Sequence, residues 1–248
     1  TAVSMMLAGV EMKVGAFAAL RAGIMLLPVG AQTWAPLILG LGTVNVIYGA
    51  LIAMVQRDLK YVIGFSSVSH MGLVLIGFAT LNADGLLGAT LQMFSHGVMT
   101  GLFFAVVGMI YDRTHTREIA RLGGLAEKMR WPVVGFILAG LVSMGMPLFS
   151  GFVAEVPIYM GVWQRAPVVG IVAIFSVLIT AAYIFMVTRQ VFFGNLPADF
   201  SGVGEVTLPD KVVVALLAAT VVLMGIFPGW IVPLAQSGVT HVLAVLGG

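Results

Sequence analysis

The sequence is built from long apolar runs separated by short polar stretches. Each run is long enough for a helix to cross the roughly 30 Å hydrocarbon layer of a bilayer. Seven such runs occupy residues 5–27, 34–55, 61–81, 86–110, 132–163, 167–193 and 212–234. The breaks between them carry turn and helix-capping residues, such as QRDLK after the second run and NADG after the third. The pattern predicts an all-α fold, a polytopic membrane helix bundle of about seven transmembrane helices.

The fifth run is too long for one straight span. It holds 32 residues and would measure about 48 Å as a single helix. Its centre reads GMPLFSG, where Pro147 cannot donate to the helical ladder and Gly145 and Gly151 flank it. We therefore expect a discontinuous helix around Pro147, whose freed backbone groups lie against protein or water because lipid cannot satisfy them. A simple proline kink is the alternative.

The composition is that of a chain that lies in a bilayer. Hydrophobic residues make up 60% of it and charged residues only 9%, whereas a soluble domain is about 25% charged. There are no cysteines, which excludes disulfides and thiolate metal or iron–sulfur ligation by this chain. We expect an integral membrane protein with one membrane domain over residues 1–248, in contact with the lipid bilayer and with no nucleic-acid partner.

Basic residues are distributed unevenly between the two sides of the predicted bundle. The side away from the N-terminus carries Arg165, and Arg21 lies near that end of the first run. The side that holds the N-terminus carries nine: Arg57, Lys60, Arg113, Arg117, Arg121, Lys128, Arg130, Arg189 and Lys211. Cytoplasmic loops are enriched in Lys and Arg, so the N-terminus is predicted to be cytoplasmic.

Four ionisable residues on four different runs are predicted at similar depth. Lys13, His70 and His96 lie near the centres of the first, third and fourth runs, and Glu155 follows the break in the fifth. An ionised group in hydrocarbon costs roughly 3 kcal/mol on insertion scales, and such residues usually mark ion or proton pathways. Because histidine titrates near neutral pH, the set predicts a proton relay if waters bridge its members. The alternative is that these groups only hold helices together.

Glu11 is a second charged residue in the first run. At about 100° per residue it points some 200° away from Lys13, so the two cannot both face one cavity directly. Glu11 is expected either to face a different helix or to modulate the protonation of Lys13. Arg21 and Arg189 lie near the ends of runs, where interfacial anchoring explains them.

Several stretches of the sequence resemble the antiporter-like proton-translocating subunits of respiratory complex I. They read LAGVEMKVGAF, DLKYVIGFSSVSHMG, MFSHGVMTGLFFAVVGMIYDRTHTREI, GGLAEKM and GMPLFSGFVAE. The M-type or chain 4 subunit is the most similar member, favoured by SVSHMG and YDRTHTREI. The family has fourteen membrane helices that include two five-helix inverted repeats. The resemblance implies that this chain corresponds to helices eight to fourteen and that an N-terminal half of the same subunit is missing.

The resemblance also implies a function, NADH:quinone oxidoreduction coupled to proton pumping. Lys13 matches the central lysine of helix eight, His70 and His96 the histidines of helices ten and eleven, and Glu155 the acidic residue of broken helix twelve. This chain is expected to bind no cofactor and no metal. NADH, FMN, iron–sulfur clusters and quinone are expected in partner subunits, and other membrane-arm subunits are the expected partners. The expected location is a bacterial-type inner membrane.

Three positions depart from the family pattern. Glu11 stands where the family usually has an aliphatic residue, Leu148 where it commonly has glycine, and Val156 where it commonly has an aromatic residue. Two related functions remain open, namely a subunit of a multisubunit sodium/proton antiporter and one of an energy-converting membrane hydrogenase. A membrane scaffold that transports nothing is the third alternative.

Overall fold

The computed structural model describes residues 2–247 as a bundle of helices joined by short loops. The bundle contains α1 (Ala2–Met25), α2 (Pro28–Met54), α3 (Leu59–Thr80), α4 (Ala83–Thr114), α5 (Arg130–Ser143), α6 (Ser150–Arg165), α7 (Pro167–Phe192), α8 (Leu208–Ile226) and α9 (Val232–Leu246). Six helices within this range, α1 to α4, α7 and α8, are long and apolar enough to cross a membrane. Extended pairing over these residues is limited to a bridge between Asp58 and Glu118. The predicted all-α membrane fold is confirmed.

The polar stretches of the sequence set the ends of the helices. The side chain of Asp58 accepts a hydrogen bond from the backbone N–H of Lys60 at 2.7 Å and caps α3. Asn82 caps α4 in the same way by accepting from the N–H of Gly85 at 2.9 Å. Pro28 and Pro167 stand in the first turns of α2 and α7, where a proline removes no intrahelical hydrogen bond.

The fifth apolar run folds as two helices. Helix α5 ends at Ser143 and α6 begins at Ser150, with Pro147 in the intervening segment. Two residues of this segment, Gly145 and Leu148, have φ angles of +60° and +74°. A left-handed residue cannot continue a right-handed helix, so the run is broken and not merely kinked. The predicted discontinuous helix is confirmed.

Helix α1 is irregular in a way that the apolar pattern did not predict. Two stretches, Leu7–Glu11 and Ala19–Met25, are π-helical, with wider turns than an α-helix. Such turns are rare and are found frequently at functional sites. The first of them lies immediately before Lys13.

The predicted last span, residues 212–234, differs from the structure at both of its ends. Helix α8 begins earlier, at Leu208, and ends at Ile226, after which Phe227 leaves the helical conformation with φ −123° and ψ 66°. The physical reason is Pro228, which disfavours helical geometry in the residue before it. The chain then continues as α9, whose Val239 and Val242 pack against α1 and α4.

Helices α3 and α4 form the centre of the bundle. In each of them 72% of the most apolar stretch is buried, against 11% in α1. The loops at residues 55–58, 115–129 and 193–207 lie together at one end, which we call the basic end. There Arg113 pairs with Asp210 at 3.2 Å and Arg117 with Asp58 at 3.4 Å. The turns at residues 26–27, 81–82 and 166 lie at the opposite end.

Candidate functional site

Polar side chains from four helices meet inside this apolar bundle. His96 is fully buried, and Glu155 and His70 are only 2% and 3% exposed. Lys13 is partly buried, at the contact between α1 and α4. The four residues form a line in the order Lys13, His96, His70 and Glu155. We call this line the central polar chain.

Lys13 and His96 form the first link of the central polar chain. The Nζ atom of Lys13 lies 2.6 Å from Nδ1 of His96 and also donates to the carbonyl oxygen of Ala8. A protonated amine has no lone pair, so Nδ1 of His96 accepts and its ring proton lies on Nε2. That Nε2 atom is buried and has no hydrogen-bond partner among residues 2–247.

The backbone of α1 places Lys13 against α4. Ala8 belongs to the π-helical stretch Leu7–Glu11, and its carbonyl accepts from a side chain five residues later. Gly9 in the same stretch faces Gly97, where an added Cβ would lie 2.8 Å from the carbonyl oxygen of Gly9. The two helices therefore touch backbone to backbone one residue from His96, which a larger residue at 97 would prevent.

His96 and His70 are neighbours without a direct hydrogen bond between them. Their ring centroids are 5.5 Å apart and their planes are tilted by 47°. The rings belong to the adjacent central helices α4 and α3. A proton can cross a gap of this size through one bridging water or after a rotation of one ring.

Both ring nitrogens of His70 have polar partners. Its Nε2 lies 2.9 Å from the hydroxyl of Ser143, and its Nδ1 lies 3.4 Å from Oε1 of Glu155. The amide of Gln92 donates to the same Oε1 at 3.3 Å and approaches Nδ1 of His70 at 3.4 Å. A charged His70 can donate to Ser143 and Glu155, whereas a neutral one can donate to Ser143 and accept from Gln92. Both protonation states of His70 thus find partners.

The carboxylate of Glu155 uses its two oxygens on different partners. Oε1 faces His70 and Gln92, while Oε2 accepts a hydrogen bond from the hydroxyl of Tyr159 at 3.1 Å. Tyr159 lies one turn further along α6. Gly145 lies so close that a Cβ there would come within 2.6 Å of Oε2.

Three site residues were not predicted from the sequence, namely Ser143, Tyr159 and Tyr183. Ser143 binds His70, and the buried hydroxyl of Tyr183 donates to Ser66 at 2.7 Å. The partners of Ser143 and Tyr183 lie on other helices, so no local sequence pattern marks these two residues. Tyr159 was within reach of sequence reasoning, because it stands four residues after Glu155 on the same helical face.

The break between α5 and α6 contributes two hydroxyls to the interior. Ser143 is the last residue of α5 and Ser150 the first of α6. Ser150 accepts from the hydroxyl of Ser95 on α4 at 2.7 Å. The interrupted helix therefore brings two hydroxyl groups into the interior, beside His70 and Ser95.

Glu11 does not join the central polar chain. It lies on the exposed face of α1, as the 200° separation from Lys13 predicted. No hydrogen bond or ion pair of its carboxylate is found within residues 2–247. Arg21 and Arg189 are also exposed, near the ends of α1 and α7. The function suggested for Glu11, modulation of Lys13, stays a prediction.

The fold and these motifs agree with one known family. A family model described as NADH:quinone oxidoreductase/Mrp antiporter, TM matches residues 1–180. The chain belongs to this family. Within it, the chain is 37% identical over 244 residues to NADH-quinone oxidoreductase subunit M of Rhodobacter capsulatus, covering 98% of this chain and 48% of that relative. It is 38% identical to NAD(P)H-quinone oxidoreductase chain 4 of Gloeobacter violaceus, covering 91% and 45%.

Solved structures give the same fold. A chain of respiratory complex I from Thermus thermophilus with bound NADH superposes with a TM-score of 0.88 at 30% identity, covering 95% of this chain and 50% of that one. The membrane-bound sulfane sulfur reductase, an archaeal respiratory membrane complex, gives 0.83 at 30% identity, covering 93% and 40%. The Mrp complex from Dietzia sp. gives 0.88 at 18% identity, covering 98% and 55%, which shows a shared fold alone.

These comparisons confirm the resemblance inferred from the motifs. The chain is an integral membrane protein of the antiporter-like family, similar to subunit M and chain 4 of NADH-quinone oxidoreductases. It spans about half the length of the relatives that it matches. Its assignment to helices eight to fourteen of a fourteen-helix subunit stays a prediction.

Proposed function

We propose that this chain is part of a proton-translocating membrane subunit of an NADH:quinone oxidoreductase. The observation that supports it best is the central polar chain, which runs through the bundle interior from Lys13 to Glu155. A structural role alone would leave the cost of burying four ionisable groups unexplained, since small residues pack membrane helices more cheaply.

The first step is transfer of a proton from Lys13 to His96. The ammonium already donates toward Nδ1 of His96 at 2.6 Å, so this proton moves along an existing contact. His96 takes it up on Nδ1 and releases the proton of Nε2, which leaves a neutral lysine and a neutral imidazole. Charge on Lys13 therefore alternates, in response to quinone reduction in partner subunits.

The second step carries the proton from His96 to Glu155 through His70. A bridging water or a ring rotation closes the gap of 5.5 Å between the two ring centroids. His70 then gives its Nδ1 proton to Oε1 of Glu155, which lies 3.4 Å away. Ser143 and Gln92 support His70 before and after the transfer, because they offer partners to both protonation states.

The orientation in the membrane follows from the charge distribution. The side of the bundle with the basic end and the N-terminus carries nine Lys and Arg residues against two on the opposite side, so we place it in the cytoplasm of a bacterial-type cell with this subunit in its inner membrane. Glu155 then receives protons bound for the outer side.

NADH, FMN, iron–sulfur clusters and quinone belong to partner subunits in this scheme. The partners in the membrane are the other half of the subunit and the neighbouring membrane-arm subunits.

Two substitutions test the relay in the full-length subunit within the assembled complex. Lys13→Ala removes the first proton donor, and Glu155→Gln removes the last acceptor without changing its size. Each should lower NADH-driven proton uptake by inverted membrane vesicles by roughly tenfold or more, because each link is required. Uptake is measured with a pH-gradient dye.

Oxidation of NADH with a soluble acceptor serves as the assembly control and should stay at the wild-type level. Arg21→Ala is the matched charge-removing control, since Arg21 is exposed on α1 away from the central polar chain. Wild-type proton uptake by both the Lys13→Ala and Glu155→Gln complexes would refute the relay.

A sodium/proton antiporter subunit is the second candidate. The matched family includes Mrp antiporters, and the Mrp complex from Dietzia sp. shares the fold. The relatives at 37% and 38% identity are NADH- and NAD(P)H-quinone oxidoreductase subunits, which favours the first proposal. Sodium-dependent proton exchange without NADH oxidation would favour the antiporter.

A further inference from the structure

The carboxylate of Glu155 has an inner and an outer side. Its Oε1 meets the two groups that deliver a proton, His70 at 3.4 Å and Gln92 at 3.3 Å. Its Oε2 faces away from them and is bound by Tyr159 at 3.1 Å. A carboxyl group that takes up a proton on one side can rotate and release it on the other, so the group that faces the outer side of Glu155 decides where the proton goes next.

Tyr159 lies between Glu155 and the end of the bundle opposite the basic end. It follows Glu155 by one turn of α6, and about 9 Å of helix separate it from Arg165, the last residue of that helix. As a whole residue it is partly exposed, unlike the fully buried Tyr183. It packs against a buried apolar cluster that includes Leu73 of α3 and Val162 of α6. The hydroxyl of Tyr159 therefore links a buried carboxylate to the less buried part of α6.

The backbone of the break lies close to Oε2 on another side. Gly145 stands at φ +60° in the break, and a Cβ on it would come within 2.6 Å of Oε2. Among residues 2–247, Tyr159 supplies the one hydrogen bond to this oxygen. Its phenol can both accept a proton and donate one, which the apolar neighbours cannot.

We propose that Tyr159 is the relay residue through which Glu155 releases its proton toward the outer side. Neutral Glu155 holds the proton on Oε1, so its carboxyl group first rotates about the Cγ–Cδ bond and turns the O–H toward Tyr159; this O–H bond then breaks and the proton binds the phenol oxygen. The phenol's own proton passes at the same time to a water molecule on the outer side, so Tyr159 ends as a neutral phenol and Glu155 as a carboxylate. The step rests on the proposed function, because it needs Glu155 to receive a proton from His70.

Tyr159→Phe in the full complex removes the hydroxyl and keeps the ring. We expect NADH-driven proton uptake to fall roughly tenfold, the effect of losing one hydrogen bond to a charged group in the transfer step. Tyr48→Phe is the matched control, because Tyr48 is 55% exposed on α2 and should pump at the wild-type rate. Tyr159→His, which restores a group that donates and accepts, should recover more uptake than Tyr159→Phe.

Infrared difference spectroscopy tests the contact between Tyr159 and neutral Glu155, and recovery of uptake in Tyr159→His separates proton transfer from a purely structural role. The carbonyl band that disappears in Glu155→Gln belongs to neutral Glu155. In Tyr159→Phe this band should move to higher frequency, because the carboxyl group loses a hydrogen bond. A band that stays in place would overturn the proposal, whatever the pumping rate.

The outcomes also separate this proposal from the relay itself. Wild-type proton uptake in Tyr159→Phe together with loss of uptake in Glu155→Gln refutes the role of Tyr159 and leaves the relay intact. Wild-type uptake in Lys13→Ala and Glu155→Gln refutes the relay, and the role of Tyr159 falls with it. Loss of uptake in Tyr159→Phe with a shifted band and partial recovery in Tyr159→His supports both.

Discussion

At the scale of single residues, the site depends on groups whose protonation can change. Lys13 meets an imidazole nitrogen at 2.6 Å, and His70 has partners suited to its charged and its neutral form. The four ionisable residues of the central polar chain were predictable, because charge in hydrocarbon is costly wherever it occurs in a sequence. The hydroxyls of Ser143 and Tyr183 were not, because serine and tyrosine are unremarkable in a membrane helix until their partners on other helices are known.

Lys13→Arg separates charge from proton exchange. Arginine keeps the positive charge and donors of Lys13, but it is not deprotonated in proteins. If Lys13 must alternate between charged and neutral states, the Lys13→Arg complex should pump at least about tenfold more slowly than wild type, close to Lys13→Ala. Proton uptake by vesicles at matched NADH oxidation is the measurement. Near-wild-type pumping with arginine would show that only the charge matters.

At the scale of elements, two irregular helices place the site. The π-helical stretch before Lys13 supplies the carbonyl of Ala8, and the break between α5 and α6 supplies Ser143 and the space beside Glu155. The break was predictable from Pro147 and the excessive length of its run. The π-helical stretch was not, because it contains no proline and its one charged residue, Glu11, gives no sign of a wider turn.

Leu148 is expected to strain the break. Its φ of +74° is a conformation that costs a non-glycine residue about 1 kcal/mol, and its side chain is 66% exposed, so little packing is lost on removal. Leu148→Gly should therefore raise the stability of the solubilised complex, measured as the temperature of half-aggregation. Glycine, which the resemblance implies as the usual residue of the family here, would avoid this strain.

Leu178→Gly is the matched control for that substitution. Leu178 is similarly exposed, at 63%, but it lies inside the regular helix α7. Glycine in a helix interior costs about 1 kcal/mol relative to the best helix formers, so the aggregation temperature should fall. A lower temperature for Leu148→Gly as well would contradict the strain argument.

At the scale of the whole molecule, the bundle is asymmetric in charge and in burial. The loops of the basic end are tied together by ion pairs such as Arg113 with Asp210, whereas the turns of the opposite end are short. Helices α3 and α4 are largely buried and α1 is largely exposed. The central polar chain therefore runs from the least covered of these helices, α1, through the well-covered centre of the bundle to α6.

Single cysteines test the orientation, since the chain has none of its own. Ser201→Cys places a thiol in an exposed loop of the basic end, and Val29→Cys places one at the opposite end, at a residue that is 76% exposed. A membrane-impermeant maleimide should label position 201 only in inverted vesicles and position 29 only in right-side-out ones. The unsubstituted complex gives the background. The reverse pattern would place the N-terminus outside.

The sequence by itself determined the membrane location, the number and approximate limits of most spans, the break around Pro147 and the four ionisable residues of the site. These are local properties, since apolar length, proline and buried charge act through the bilayer whatever the neighbouring helices are. Only the tertiary structure decided that Lys13 meets His96 while Glu11 stays exposed, and that Glu155 divides its oxygens between His70 and Tyr159. The physical reason is that those contacts depend on helix rotation and backbone approach, as at Gly97, which arise only when separate helices pack together.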